Sequence, residues 1–219
     1  MKVIELHASV TASNDRDAEA LRERTRGAGV LLVNVMSSPG SGKTTLISRL
    51  ISDMGDVRFT VMEADIESTV DAERIEALGA KAVQVHTDGM CHMDAGMTAR
   101  AFGAVEADGT DIAVLENVGN LICPAEYDTG AGLNVMLLSV PEGDDKPLKY
   151  PLMFEKSDAL IVTKTDAIRY FRFDMEACRA RAERLNPDIR VFPVSAKTGE
   201  GMAELEDWLR GRLREWRGR

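Results

Sequence analysis

The sequence predicts a three-layer, doubly wound α/β fold around a mostly parallel sheet of about seven strands. Three observations predict it. Strand-like and helix-like segments alternate from residue 30 to residue 219. Several strands are almost wholly apolar, which suits a parallel sheet covered on both faces. One of them runs straight into a Gly/Ser-rich turn followed by an amphipathic helix.

In chain order, residues 8–16 are small and polar and read as a linker. The charged stretch Asp17-Ala-Glu-Ala-Leu-Arg-Glu-Arg, within a helical pattern over 15–26, reads as a solvated surface helix. The first strand is expected near 30–36, from Val30-Leu-Leu-Val-Asn-Val-Met36. A helix over 43–54 follows, its apolar stripe formed by Leu46, Ile47, Leu50 and Ile51. Further strands are expected near 57–63, 81–86, 111–116, 133–140, 158–163 and 189–194. Ile112-Ala-Val-Leu115, Val135-Met-Leu-Leu-Ser-Val140 and Ala159-Leu-Ile-Val162 are the clearest. Helices are expected near 68–78, 93–107, 150–157, 172–185 and 201–216. The Arg-rich stretch from Arg210 to Arg219 reads as a helix face with favourable C-terminal charge. The chain divides into an N-terminal extension and surface helix (1–29) and one α/β domain (30–219), a size that buries a sizeable core.

Composition narrows the function classes. A net charge of −9 argues against broad binding to nucleic acid or an anionic membrane surface. No apolar run approaches the roughly 18 residues of a bilayer span. The first residues, Met1-Lys-Val-Ile-Glu-Leu-His7, lack the apolar core of a signal peptide. A cytoplasmic protein with reduced thiols is therefore expected. Its three cysteines cannot all pair, which turns attention to a metal or a reactive thiol.

Residues 37–44, Ser-Ser-Pro-Gly-Ser-Gly-Lys-Thr, form a candidate phosphate-binding loop. Phosphates need many N–H donors converging on a small volume, and Gly40 and Gly42 let the backbone curl tightly enough to supply them. The following helix adds the positive end of its dipole. Lys43 is placed to reach the β- and γ-phosphates and the Thr44 hydroxyl to ligate Mg²⁺. Gly40, Ser41, Gly42, Lys43, Thr44 and Thr45 make up the candidate set. Ser37 stands where the strict pattern G-x-x-x-x-G-K-[ST] has its first Gly. A chance Gly/Ser-rich turn would not bring strand, loop, Lys-Thr and amphipathic helix in the required order.

Thr163-Lys164-Thr165-Asp166 follows an apolar strand and resembles the [NT]-K-x-D guanine motif of GTPases. Guanine presents N1–H and N2–H₂ on one edge, and the Asp166 carboxylate can accept both. Adenine would leave that carboxylate poorly paired, which is how such sites discriminate. Lys164 would lie along the base plane. Ser195-Ala196-Lys197 follows another strand and resembles the last GTPase motif, which supports the base. GTP and GDP are the expected nucleotides.

Glu116-Asn-Val-Gly119 ends a strand and resembles the D-x-x-G switch motif, with Glu for Asp. Its carboxylate would hold Mg²⁺, and the Gly119 N–H would meet the γ-phosphate. Asp65, ending Val61-Met-Glu-Ala-Asp65, would contact Mg²⁺ or orient the attacking water. A loop-capping acid is the bland alternative for both. Asn120 replaces the Gln of Ras-type enzymes, and slow intrinsic turnover is expected.

Gly89-Met-Cys91-His92-Met-Asp94 and Cys123 in Gly119-Asn-Leu-Ile-Cys123-Pro124 offer soft donors that suit Zn²⁺ or Ni²⁺. Composition alone favours reading Cys91 and Cys123 as buried thiols. Two or three ligands do not close a site, and a second copy across a two-fold axis would supply the rest.

The ordered set S-S-P-G-S-G-K-T, E-A-D with D-A-E-R-I, G-M-C-H-M-D-A, E-N-V-G-N-L-I-C-P-A, S-V-P-E-G-D-D-K-P-L-K-Y-P, T-K-T-D and S-A-K closely resembles the hydrogenase-maturation nickel-incorporation GTPases, the HypB family. The resemblance runs from about residue 30 to about residue 205. Within that family Ser at position 37 and Glu at position 116 are expected. The adjacency of Cys91 and His92 favours it over the related urease-maturation GTPases, which carry Cys-Pro-His.

The resemblance implies a P-loop NTPase fold of the SIMIBI-like kind and a GTPase that acts as a metallochaperone. It implies a homodimer in the GTP state, with Ni²⁺ or Zn²⁺ held at the interface by Cys91, His92 and Cys123. The implied partners are a HypA-type nickel chaperone and the precursor of the [NiFe] hydrogenase large subunit. Lys146 and Lys149 resemble a family loop near the base and dimer interface; a solvated surface loop is the other reading. Residues 1–29 hold His7 but no Cys, so the N-terminal Cys cluster and His-rich stretch of some members are absent from them. A urease-type maturation GTPase, a P-loop kinase for a small metabolite and a nucleotide-independent scaffold are the competing readings.

Overall fold

The computed structural model describes residues 6–64, 70–87, 89–105 and 109–218. Seven parallel strands make one sheet: β1 (Leu31–Ser37), β2 (Phe59–Glu63), β3 (Lys81–Gln84), β4 (Ile112–Glu116), β5 (Leu133–Ser139), β6 (Ala159–Thr163) and β7 (Arg190–Pro193). Their spatial order is β3-β2-β4-β1-β5-β6-β7. Parallel register brings Val35 beside Glu116 on one side of β1 and beside Val135 on the other.

The helices are α1 (Leu6–Gly27), α2 (Lys43–Asp53), α3 (Val70–Ala77), α4 (Ala95–Ala104), α5 (Cys123–Glu126), α6 (Lys146–Lys149), α7 (Pro151–Glu155), α8 (Met175–Leu185) and α9 (Met202–Trp216). Short 3₁₀ turns span Val140–Glu142 and Thr165–Tyr170. On one face, alternate β1 residues Leu31, Val33 and Val35 pack with Leu46, Ile47 and Leu50 of α2 and Leu205, Leu209 and Leu213 of α9. On the other face, Leu32, Met62 and Leu115 meet Leu21 of α1 and Phe102 of α4. Met136, Leu138 and Leu160 meet Phe154 of α7 and Cys178 of α8. The sheet is thus covered on both sides, the condition that apolar parallel strands require.

All seven expected strands are present, with ends shifted by one or two residues. The N-terminal segment differs from expectation. Residues 8–16 are not a linker; they belong to the single helix α1. Tertiary bonds account for this, because the Asn14 amide donates to the Asp128 carbonyl at 2.8 Å and accepts from the Ala95 N–H at 2.9 Å. Nor is α1 purely solvated: Ala18, Leu21 and Thr25 are buried.

Because the strands are parallel, their C-terminal ends share one edge. The loops after β1, β4, β5, β6 and β7 meet there, on either side of the central strand, where ligands of open α/β sheets bind.

Candidate functional site

The loop after β1 is closed by its own side chains. Ser37 is fully buried, and the Lys43 ammonium donates to its hydroxyl at 3.2 Å. Gly42 caps α2 with φ 97°, a left-handed turn that aims the first helical N–H groups into the loop. The loop is also tied to both flanks. Ser38 donates to Glu142, whose other oxygen accepts from the Ser139 N–H at 2.8 Å. Gly119 comes so near Pro39 that a Cβ there would lie 3.0–3.2 Å from three of its atoms.

The Thr44 hydroxyl donates to the Glu116 carboxylate at 3.0 Å. These are two hard oxygen donors from β4 and α2, and their chemistry fits Mg²⁺. Thr45 stands exposed on the first turn of α2. Asp65, expected to contact Mg²⁺ or water, lies outside the described residues.

The loops after β6 and β7 bring the expected guanine residues together. Thr163 donates to the Ser41 carbonyl at 2.7 Å, and the Lys164 ammonium to the Gly40 carbonyl at 2.7 Å. Lys164 adopts φ 61°, rare for a residue with a Cβ. Its side chain runs back across the loop, as a lysine lying along a base plane would. Ser195 donates to the half-buried Asp166 carboxylate at 2.8 Å. That bond fixes one carboxylate oxygen of Asp166. Ala196, half-buried, accepts from Arg49 through its carbonyl at 3.1 Å, while Lys197 is exposed.

The thiols sit a short way along the same edge. Cys91 is exposed, Cys123 half-buried and Cys178 buried. Buried-thiol chemistry therefore belongs to Cys178, whose environment pushes it up to about 12. A hydrogen bond with the Cys91 thiol, and then burial, push the Cys123 thiol above its ordinary value. The Asn120 amide opposes that, donating to Cys123 Sγ at 3.5 Å. Asn120 also accepts from the Ile122 N–H at 2.7 Å, which holds the start of α5.

His92 is buried and stacks on Tyr127 with ring centres 3.9 Å apart. Burial lowers its pKa against the pull of Asp94 and Glu126, which favours the neutral, metal-binding imidazole. Its Nδ1 lies 3.8 Å from Cys91 Sγ. Among the described residues, no three His, Cys, Asp or Glu side chains converge as a metal-holding group. Cys91 and Cys123 approach each other; the set stops short of a closed site.

Lys149 pairs with Asp145 at 2.5 Å, and Lys146 lies 5.6 Å from the Tyr150 ring centre. Their loop is anchored to α8 through Arg181 and Asp144 at 2.5 Å. Two participants went unread in the sequence. Glu142 carried a signal, since Ser139-Val-Pro-Glu142 has the spacing of a capping box. Asn117, whose side chain points into the core, carried none.

Residues 31–193 match the family model described as CobW/HypB/UreG, nucleotide-binding domain. The chain belongs to this family, in its HypB branch. Hydrogenase maturation factor HypB of Azotobacter chroococcum is 46% identical over 95% of this chain and 68% of its own length. The Escherichia coli factor of that name is 43% identical, over 95% and 72%. Hydrogenase/urease maturation factor HypB of Helicobacter pylori strain J99 is 39% identical over 98% and 90%. The crystal structure of Helicobacter pylori HypB in complex with nickel superposes with a TM-score of 0.88 at 40% identity, covering 93% of this chain and 96% of that one. A signal recognition particle receptor in complex with GDP, at 15% identity and a TM-score of 0.52, shares the fold. This chain thus joins the nucleotide-binding domain of its family to the Cys91-His92 and Cys123 segments described above.

Proposed function

We propose that this chain hydrolyses GTP and uses the cycle to hold and release nickel on its way to the large subunit of a [NiFe] hydrogenase. The observation that carries this reading is the Asn120 side chain. Directly after Gly119, it bonds both Cys123 Sγ and the backbone of α5. A shift of the switch is thereby handed to a candidate metal ligand. The names of the relatives and the nickel complex of the Helicobacter pylori protein support the reading.

In the proposed reaction, water attacks the γ-phosphorus while the bond to the β–γ bridging oxygen breaks. The electron pair leaves with GDP and the water proton passes to the phosphate. Lys43 and the loop amides neutralise the charge that develops on the oxygens. The Gly119 N–H meets the γ-phosphate, and Asp65 orients the water. Thr44, Glu116 and Asp65 would hold Mg²⁺, which supplies further charge neutralisation. Asp166 selects guanine, and Ser195, Ala196 and Lys197 support the base.

Nickel is cargo. Cys91, His92 and Cys123 are its proposed ligands, with the same residues of a second copy completing the site in the GTP state; Zn²⁺ suits the same donors. Binding would release thiol protons, so nickel affinity would rise with pH. A HypA-type chaperone is the proposed nickel donor, in the cytoplasm. Nickel titrated into the GDP form and into a form holding a non-hydrolysable GTP analogue, with mass recorded alongside, tests the reading. Different affinities and dimer fractions are expected. Superimposable titrations would leave a GTPase with structural thiols. The Helicobacter names, hydrogenase/urease maturation factor, favour a second reading in which urease is the recipient. Offering both apoenzymes to the nickel-loaded protein decides between them.

A further inference from the structure

A chain of amide side chains, buried at Asn34 and Asn117 and half-buried at Asn134, runs beneath the two sites. Asn34 on β1 donates to the Asn134 side chain on β5 at 3.0 Å, the two being register partners. Asn117 donates to Asn34 at 3.0 Å. Asn117 Oδ1 in turn accepts from the Met93 N–H at 3.2 Å and the Val118 N–H at 2.9 Å. Asn34 is 1% exposed and Asn117 is inaccessible to solvent. Buried amides are tolerated where their hydrogen bonds are made, and here each link satisfies the next.

The ends of this chain matter. Asn117 lies between Glu116 and Gly119, in the switch motif. Met93 follows His92 and precedes the Asp94 cap of α4. Asn34 and Asn134 are fixed in central strands. When residues 116–119 move, Asn117 cannot both follow its backbone and keep its bonds to Asn34 and Met93. The structure holds the tied arrangement, and a shift of residues 116–119 would give a second, released one.

We propose that Asn117 is a positioning residue that transmits the state of the nucleotide switch to the Cys91–His92 loop. This rests on the nucleotide-dependent switch proposed above. Its test is amide hydrogen exchange at Met93 in the full, metal-free chain, with GDP and with a non-hydrolysable GTP analogue plus Mg²⁺. The wild-type protein is expected to show a difference of about tenfold between the two states. In Asn117→Ala the difference collapses below about twofold, with Met93 exchanging fast in both states and GDP affinity kept within about threefold.

Asn117→Asp keeps an acceptor for Met93, and turning over the Asn34 and Asn134 amides gives it a donor. It is expected to retain the wild-type pattern. Should Asn117→Ala lose protection throughout the strands, Asn117→Ser carries the test, since its hydroxyl serves Val118 but is too short for Met93. The proposal fails if wild-type Met93 exchanges equally in both states, or if a folded Asn117→Ala keeps the difference. Because no metal is present, equal nickel affinities in the two states would sink the delivery function and leave this result standing.

Discussion

At the phosphate loop the side chains close on one another; at the thiols they stop short. Lys43 meets Ser37, Thr44 meets Glu116, Lys164 meets Gly40 and Asp166 meets Ser195, each within 3.2 Å. Cys91 and Cys123 approach each other, yet Cys91 is exposed and no third donor joins them as a group among the described residues. One chain therefore builds the first region from its own contacts. The second is left open among the described residues, as the proposed hold-and-release role would require. A permanent metal centre would be closed by four ligands.

Four substitutions would break or sharpen this contrast. The largest effect is expected for Asp166→Asn, which replaces an acceptor by a donor where guanine presents donors. Preference for GTP over ATP should fall by about 10³-fold or more in competition binding. Lys43→Ala should reduce single-turnover GTP hydrolysis by about 10²–10³-fold while leaving thiol reactivity as it was. Cys123→Ala should weaken nickel binding by about 10²-fold, read by titration, and spare GDP affinity; weakened GDP binding would show that the two regions are not separable.

The smallest effect is expected at the opposite edge of the sheet, where Asp111 bonds Arg58 and Arg217. Burial pushes that carboxyl up, but the two guanidinium groups outweigh it and hold it well below the usual range. A depressed carboxyl stabilises the fold above its unfolded value near pH 4, and the benefit fades as pH falls further. Asp111→Asn should lower Tm by roughly 3 °C at pH 7 and flatten the loss of stability below about pH 4. Neither nickel nor nucleotide binding should change.

The central strands were legible because most are nearly uninterrupted apolar runs set between turn signals, as in Ala159–Val162; β3 and β7, shorter and edged by Lys81 and Arg190, were read from their place in the alternation. Motif residues were legible where spacing along the chain reflects spacing in the loop, as from Ser37 to Thr44. What escaped depends on residues far apart in sequence. Asn14 turns an expected linker into helix through Asp128 and Ala95. Asn34 and Asn134 are 100 positions apart, and Ser38 and Glu142 are 104 apart. Helices α5 and α6, four residues each, are too short to display a period. At the thiols, the residue types were readable, but their exposure and the Asn120 bond belong to the folded loop.

The approach of Gly119 to Pro39 has a mechanical meaning. A Cβ placed on Gly119 would lie 3.0–3.2 Å from Pro39, where ordinary contact begins at 3.4 Å, so the joint between loop and switch has no room for a methyl group. Any side chain at residue 119 would have to push Pro39, and with it the phosphate loop, aside, so glycine there sets how closely the two segments can approach.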